Sequence, residues 1–146
     1  AEQARYFCKD IHYPDVPLHT PTFDTTLLSA HIRPGHVMLI DCWASWCGPC
    51  RAAIPAVKAL YDKYDRDRFD VISISLDSKE DWQKALEEEK MPWPQFIAGN
   101  SGYEQLTLRY NINSIPNLIL IDDKGQVVCN TFSPEEISIE LEEILR

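Results

Sequence analysis

The ten residues CWASWCGPCR (42–51) hold three of the five cysteines in the 146-residue chain. Two of them, Cys47 and Cys50, are separated only by Gly48 and Pro49. A pair this close can bind a metal ion, form a structural disulfide, or exchange electrons with the thiols and disulfides of other molecules. The rest of the sequence favours the third use.

The first two uses remain minor alternatives. A structural zinc site commonly takes its four ligands as two close pairs, whereas this chain has one close pair and no histidine after Cys50. A disulfide that closes so short a loop removes little chain entropy and therefore stabilises a fold little. We expect neither a bound metal ion nor another cofactor.

A redox-active pair is consistent with the position of the two cysteines. Apolar and β-branched residues over 36–44 predict a buried strand, and apolar side chains at spacings of three and four predict a helix over 48–64. Cys47 would then stand at the helix N-terminus, where unpaired N–H groups and the helix dipole favour a thiolate. Cys50, one turn further on the same face, could resolve a mixed disulfide at Cys47. Pro49 suits the first turn because its missing N–H would be unpaired there.

Strands and helices are predicted to alternate along the rest of the chain. Further strands are expected at 69–77, 95–98, 117–122 and 126–132, and further helices at 78–90, 102–110 and 134–146, with Ser78 and Ser133 as caps. Prolines interrupt residues 1–35, for which we expect an irregular lead-in with a short strand and a turn of helix at 22–33. This order predicts a single domain over 1–146, with an α/β fold whose central mixed sheet carries helices on both faces.

The composition narrows the range of partners. The formal charge of −9 argues against nucleic acid and against anionic membrane surfaces, because both require a basic protein surface. No apolar run approaches the roughly 20 residues that span a membrane. The acidic segments 87–89 and 134–146 are typical of solvated helix faces, and electrostatic steering of a basic partner is the alternative interpretation.

The segment LIDCWASWCGPCR (39–51) resembles the thioredoxin signature. Together with the Ile54-Pro55 that follows, it is especially similar to the TlpA/ResA group of membrane-anchored or periplasmic bacterial thioredoxin-like reductases. The resemblance covers residues 36–132 and implies a thioredoxin-like three-layer fold. Residues 78–98 would then correspond to the insertion that distinguishes this group from plain thioredoxins.

The same resemblance implies a thiol–disulfide oxidoreductase. Its substrates would be disulfide-containing or dithiol proteins, and an upstream thiol donor would supply the electrons. The Gly48-Pro49 dipeptide between the cysteines resembles that of the reducing members, so we expect a protein-disulfide reductase. The bacterial periplasm or cell envelope is the implied location, the cytoplasm is the alternative, and we expect no membrane contact by this chain.

The resemblance also implies catalytic roles for three residues. Cys47 would be the attacking thiol and Cys50 the resolving thiol. Asp41, six residues before Cys47, matches a buried acid of thioredoxins. Burial would raise the pKa of its carboxyl and suit it to exchange a proton with Cys50. A hydrogen-bonded core aspartate without a catalytic role is the alternative for Asp41.

A second set of residues would contact the substrate. The resemblance implies a cis peptide bond between Ile115 and Pro116, which would hold the residue-115 backbone against the cysteine pair to bind an extended peptide. Trp46 would offer an apolar contact surface, although packing in the core is an alternative for this side chain. Gly48 and Pro49 complete the substrate-binding set.

Three positions depart from the family pattern. Ser73 stands where thioredoxins often have a lysine beside the buried acid, and Ala53 where ResA-like proteins often have a glutamate. Asn117 replaces the usual threonine after the cis-proline. Asp41 is then the only acid that the sequence places near the pair. These departures leave the redox potential and the choice of partner open, but not the exchange chemistry.

The three remaining cysteines are interpreted as incidental. Cys42 lies on the predicted buried strand and is expected to be a packed thiol. Cys8 and Cys129 are most simply two free thiols, with a bridge between them as the alternative.

Two other functional classes compete with exchange. A peroxiredoxin-like peroxidase needs a threonine about three residues before its reactive cysteine, and Ala44 occupies that position here. A non-catalytic peptide-binding module on a thioredoxin fold is the other alternative, and the intact cysteine pair argues against it.

The position of Cys47 at a helix N-terminus makes a testable prediction about the reduced protein. We expect Cys47 to have the lower pKa of the pair and therefore to be alkylated faster than Cys50 at neutral pH. Timed iodoacetamide labelling followed by peptide mass spectrometry measures both rates. Faster labelling of Cys50 would contradict this assignment of the attacking thiol.

Overall fold

Strands and helices alternate along residues 11–146, the part of the chain that the computed structural model describes. The strands are β1 Pro17–His19, β2 Thr25–Leu27, β3 Val37–Trp43, β4 Phe69–Ser75, β5 Gln95–Ile97, β6 Asn117–Ile121 and β7 Val127–Thr131. The helices are α1 Gly48–Lys63, α2 Lys79–Glu89, α3 Gly99–Arg109 and α4 Pro134–Ile144, and a 3₁₀ turn spans Leu28–His31.

The strands form one mixed sheet in the order β2-β1-β5-β4-β3-β6-β7. The central strand β3 pairs in parallel with β4 and antiparallel with β6, and β4 pairs in parallel with β5. The β6–β7 hairpin adds an antiparallel pair at one edge. All seven residues of β3 are buried, because the sheet covers both of its sides and helices cover its faces. Burial on both faces explains why every residue of this strand except Asp41 is apolar and why polar residues do not alternate with apolar ones.

Helices pack on both faces of the sheet, which confirms the predicted three-layer α/β fold. On one face, Leu39 of β3 belongs to a buried cluster with Val57 of α1 and Leu141 of α4. On the other face, Ile40 belongs to a buried cluster with Leu106 of α3. Neighbouring residues of β3 thus serve opposite layers, as the two-residue period of a strand requires.

The N-terminal part of the described chain is more regular than an irregular lead-in. Strands β1 and β2 form an antiparallel hairpin, and the 3₁₀ turn follows directly, as the expected short strand and helical turn at 22–33 suggested. Pro17 is the first residue of β1, a position where a missing N–H is tolerated. The alternative of a bridge between Cys8 and Cys129 is not tested, because Cys8 lies outside the described residues. Cys129 is fully buried in β7.

Two local predictions about helix starts need correction. Helix α3 begins at Gly99 and not at 102, because Gly99 turns the chain into the helix with a positive φ of 71°. Ser78 and Ser133 occupy the N-cap positions of α2 and α4, but neither side chain caps its helix by a hydrogen bond. The hydroxyl of Ser133 instead donates to the carboxylate of Glu135.

The topology brings three chain segments to one end of the sheet, the end at which the parallel strands β3 and β4 finish. Strands β3 and β4 are parallel, so the loops that follow Trp43 and Ser75 leave the sheet together. Strand β6 is antiparallel to β3, so the loop that precedes Asn117 reaches the same end of the sheet. None of the helices formed by residues 11–146 combines the length and the apolar character needed to cross a membrane.

Candidate functional site

Cys47 and Cys50 are joined by a disulfide at the start of α1, with their Cα atoms 5.2 Å apart. Cys47 is the N-cap residue, and its Sγ accepts a hydrogen bond of 3.1 Å from the backbone N–H of Cys50. Cys47 is 5% exposed and Cys50 is 0% exposed, so Cys47 is the sulfur of the pair that another molecule can reach. After reduction, the same N–H and the helix dipole would stabilise a thiolate at Cys47.

An exposed rim surrounds Cys47. Trp46 is 70% exposed, which excludes the alternative that it packs in the core. Gly48 and Pro49 are exposed beside it, and Pro49 lies in the first turn of α1 as predicted. Trp46 also borders an open recess of about 290 Å³. The remaining residues of the recess are Leu76, Tyr103, Thr107, Ile112, Asn113, Ser114 and Ile115.

The segment before β6 lies against the disulfide. The Ile115–Pro116 peptide bond is cis, as the resemblance implied. The carbonyl oxygen of Ile115 is 3.8 Å from Sγ of Cys47. Ile115 and Pro116 are both half-buried, so their backbone lines the approach to the pair. The structure therefore brings the predicted substrate-contacting residues to the reactive sulfur.

Helix α2 covers the side of the pair that faces away from solvent. Trp82 and Ala85 of α2 belong to the same buried cluster as Cys47, Cys50 and Trp43. Cys50 is therefore enclosed by apolar side chains, and in the reduced state its thiol would be shielded from water. Burial of this kind disfavours a thiolate at Cys50 until a base takes its proton.

Arg51 connects the end of α2 to the loop of residues 44–47 between β3 and α1, which we call the active-site loop. Its guanidinium donates to Glu89 Oε2 at 2.5 Å, to Glu88 Oε1 at 2.9 Å and to the carbonyl oxygen of Ser45 at 3.2 Å. Two of the three glutamates at 87–89, which the sequence suggested were a solvated helix face, thus have a structural partner. Charge-assisted hydrogen bonds of this kind hold a loop more firmly than neutral ones.

Asp77 is an acid of the site that the sequence analysis missed. Its carboxylate accepts hydrogen bonds from the backbone N–H of Ser45 at 2.8 Å, from the Ser45 hydroxyl at 2.8 Å and from the Ser75 hydroxyl at 2.7 Å. The sequence placed only Asp41 near the pair, and the structure adds Asp77, which binds the loop two residues before Cys47. The signal was available, because Asp77 follows β4 and the carboxyl ends of parallel neighbours meet at one edge.

Asp41 is 1% exposed and lies in the centre of β3. The Ser73 hydroxyl donates to its Oδ2 at 2.9 Å, and Ser73 is also its direct register partner on β4. Burial raises the pKa of the Asp41 carboxyl to about 7, and the hydrogen bond from Ser73 opposes this rise. A carboxyl that titrates near neutral pH can both accept and release a proton under physiological conditions.

Cys42 is a packed thiol, as predicted. It is fully buried in the cluster on the face of the sheet opposite α1. Burial raises the pKa of the Cys42 thiol strongly, and the neighbouring charge of Asp41 raises it further. This thiol therefore stays protonated and unreactive. Within residues 11–146, no group of three or more His, Cys, Asp or Glu side chains is arranged to hold a metal ion.

A family model described as thioredoxin-like matches residues 35–127 of the chain. Sporulation thiol-disulfide oxidoreductase A of Bacillus subtilis is 26% identical over 104 residues, which cover 68% of this chain and 61% of that protein. The chain therefore spans less than two thirds of that relative. Thiol-disulfide oxidoreductase ResA of Geobacillus kaustophilus is 26% identical over 133 residues, which cover 85% of this chain and 75% of the relative.

A solved structure shares the fold along almost the whole chain. The thioredoxin domain of a thiol-disulfide oxidoreductase from Bacteroides vulgatus matches with a TM-score of 0.84 at 24% identity. The match covers 94% of this chain and 98% of the Bacteroides domain.

The raised pKa of Asp41 predicts a pH-dependent stability of the oxidised protein. The folded chain holds this proton up to about pH 7, whereas the unfolded chain releases it near pH 3.8, the ordinary pKa of an aspartate. The free energy of unfolding therefore falls as the pH rises through this window. Between pH 5 and pH 8, it should fall by about 2–3 kcal/mol more in the native chain than in Asp41→Asn. Urea denaturation at the two pH values measures the difference, and parallel pH profiles would contradict it.

The contacts of Asp77 predict that Asp77→Ala loosens the loop before Cys47. The variant leaves the N–H and the hydroxyl of Ser45 without their carboxylate partner, so we expect the free energy of unfolding to fall by about 1–3 kcal/mol. Asp123→Ala, at an exposed turn, is the matched control and should change it by less than about 0.5 kcal/mol. Equal effects of the two substitutions in urea denaturation would show that Asp77 does not organise the loop.

Proposed function

Since the chain belongs to the thioredoxin-like family, we propose that it is a thiol–disulfide oxidoreductase that reduces protein disulfides with Cys47 and Cys50. One observation carries the proposal. A disulfide lies at the N-terminus of a helix with one sulfur reachable and the other enclosed, directly beside the backbone of Ile115. This geometry supports attack by one cysteine and resolution by the other. The names of the relatives agree with this chemistry.

The proposed reaction begins with the reduced pair. The Cys47 thiolate attacks one sulfur of a substrate disulfide, the substrate S–S bond breaks, and its second sulfur leaves as a thiolate that takes a proton. Cys50 then loses its proton and attacks Sγ of Cys47, and the other substrate sulfur leaves as a thiolate that takes a proton. The chain ends with the Cys47–Cys50 disulfide and the substrate with two thiols, so two electrons have moved. An upstream dithiol regenerates the reduced pair by the same steps in reverse.

We assign the proton of Cys50 to Asp41. The buried thiol needs a base, and the pKa of about 7 allows Asp41 to take a proton near neutral pH and release it again. Asp41 lies on the β3 face that α1 covers, since Leu39 on the same face packs in one cluster with Val57 of α1. A base on this face is suited to serve a cysteine on the buried side of that helix.

We propose that a substrate peptide lies in an extended conformation along residues 115–116. The half-buried backbone of Ile115 and Pro116 stands close enough to Cys47 for a peptide disulfide to reach the sulfur. Strand addition of this kind supplies affinity through main-chain hydrogen bonds. The exposed ring of Trp46 and the exposed Gly48 and Pro49 would form the opposite rim of the binding site.

We further propose a location and a domain organisation. The resemblance to the TlpA/ResA group supports the bacterial periplasm or cell envelope, and the Gly48-Pro49 dipeptide supports the reducing direction. The long match to a solved thioredoxin domain supports a single domain over 1–146. Residues 78–98 would be the insertion that supplies α2 and β5 to this domain.

A redox titration of the pair tests the proposed function. Equilibration with glutathione or dithiothreitol buffers, followed by tryptophan fluorescence, should give a reversible two-electron transition near or below about −250 mV. A potential near about −120 mV would mark an oxidant and reverse the proposed direction. No reversible transition would remove the exchange function and favour a non-catalytic binding module.

Matched cysteine variants complete this test. Cys50→Ser should accumulate a mixed disulfide with a disulfide-containing peptide, because resolution is lost, whereas Cys47→Ser should form none. Cys42→Ala is the control, because this buried thiol faces the other layer and should leave mixed-disulfide formation unchanged.

A further inference from the structure

Three buried side chains form a hydrogen-bonded line that ends at Asp41. The indole Nε1–H of Trp93 donates to Ser73 Oγ at 2.7 Å, and the Ser73 hydroxyl donates to Asp41 Oδ2 at 2.9 Å. Trp93 is 3% exposed, Ser73 is 0% exposed and Asp41 is 1% exposed. The line therefore runs through the buried interior of the protein, from the segment after α2 to the central strand.

The direction of donation in this line is set by Trp93. An indole N–H donates and does not accept, so Ser73 Oγ has to be the acceptor of that bond. The single hydroxyl proton of Ser73 then has two possible acceptors, Asp41 Oδ2 and the thioether of Met91 at 3.7 Å. A thioether is a weak acceptor, so the proton is directed at the carboxyl group. This arrangement stabilises the ionised form of Asp41.

The backbone holds Ser73 and Trp93 in these positions. Ser73 stands directly opposite Asp41 in the parallel β3–β4 register, and its backbone N–H donates to the carbonyl oxygen of Pro94 at 3.1 Å. The Trp93 ring packs against Tyr61 of α1, with ring centroids 5.4 Å apart. Residues 93–94 therefore bind Ser73 through two hydrogen bonds, one to its side chain and one to its backbone.

Among residues 11–146, burial and the hydrogen bond from Ser73 are the influences on the Asp41 carboxyl, and no charged group contributes. Its register partner on β6 is Leu118, its neighbour on β3 is the protonated Cys42, and the titratable group on the buried face of α1 is Cys50. Arg51 is engaged by Glu88, Glu89 and the Ser45 carbonyl. The Ser73 hydroxyl is thus the polar group that the described residues direct at the Asp41 carboxyl.

We propose that Ser73 and Trp93 are positioning residues for Asp41. The hydrogen bonds from Trp93 to Ser73 and from Ser73 to Asp41, here called the relay, set the pH at which Asp41 takes the proton of Cys50. The step is a proton transfer in which the Cys50 S–H bond breaks and an O–H bond forms on Asp41, with no change in oxidation state. The inference rests on the proposed function for its effect on exchange. The relay itself is a property of the oxidised fold.

Direct titration of Asp41 by carbon NMR of aspartate-labelled oxidised protein tests the relay. Ser73→Ala removes the donor to the carboxylate, so the Asp41 midpoint should rise by about one pH unit or more. Ser73→Thr retains the hydroxyl and should restore the native midpoint. Trp93→Phe should also raise the midpoint, because the Ser73 hydroxyl is then free to turn and accept a hydrogen bond from the protonated carboxyl of Asp41. Trp82→Phe is the matched control, since its buried indole N–H has no partner within residues 11–146, and it should leave the midpoint unchanged.

The double variant separates a relay from two independent contributions. If Trp93 acts through Ser73, then Ser73→Ala with Trp93→Phe should titrate at the same pH as Ser73→Ala alone. An unchanged Asp41 midpoint in Ser73→Ala, or a further full shift from Trp93→Phe in that background, would overturn the proposal.

The pH profile of exchange connects the relay to catalysis. The rate at which Cys50 resolves a mixed disulfide between Cys47 and a model peptide should show an inflection that moves upward with the Asp41 midpoint in Ser73→Ala. In an Asp41→Asn background, Ser73→Ala should leave the profile unchanged, and a shift there would contradict action through Asp41. If the native pair shows no reversible redox transition, the proposed function fails, while the NMR titration still decides whether the relay exists.

Discussion

The parallel pairing of β3 with β4 at the centre of the sheet is the constraint on which the rest of this structure depends. It makes the loop after Trp43 and the loop after Ser75 leave the sheet side by side, so the carboxylate of Asp77 can hold the backbone of Ser45. Strand β6 begins at the same end of the sheet, and the residue before its cis-proline, Ile115, therefore lies next to Cys47. The positions of Ser45, Asp77 and Ile115 around Cys47 thus follow from the two pairings of β3, with β4 and with β6.

Burial of β3 on both faces has an energetic cost at Asp41. A carboxylate in this position loses its hydration, and burial raises its pKa to about 7. A cationic partner would stabilise the charge more strongly and hold the acid ionised at neutral pH, whereas the hydroxyl of Ser73 opposes the rise only in part. The chain therefore has a buried acid poised between its two protonation states, at the expense of stability above neutral pH.

Residues 78–98 contribute both to the cover of the cysteine pair and to the hydrogen bonds that lead to Asp41. Helix α2 places Trp82 over the cysteine pair and is tied to the active-site loop through Arg51. The segment that follows places the Trp93 indole N–H on Ser73, the residue whose hydroxyl donates to Asp41. This part of the chain thus encloses Cys50 with apolar side chains and supplies Trp93 to the Ser73 hydroxyl that donates to Asp41.

Local chemistry in the sequence was enough to identify the alternation of strands and helices, the cysteine pair at a helix start and the buried acid in the central strand. These features depend on residues close together in the chain, where periodicity and turn chemistry act directly. The place of Asp77 after a parallel strand was a signal in the sequence, but tertiary structure decided that its carboxylate binds Ser45, that Trp46 is exposed and that Trp93 reaches Ser73. These contacts join residues far apart in the sequence, and strand register and packing select them, which no local pattern encodes.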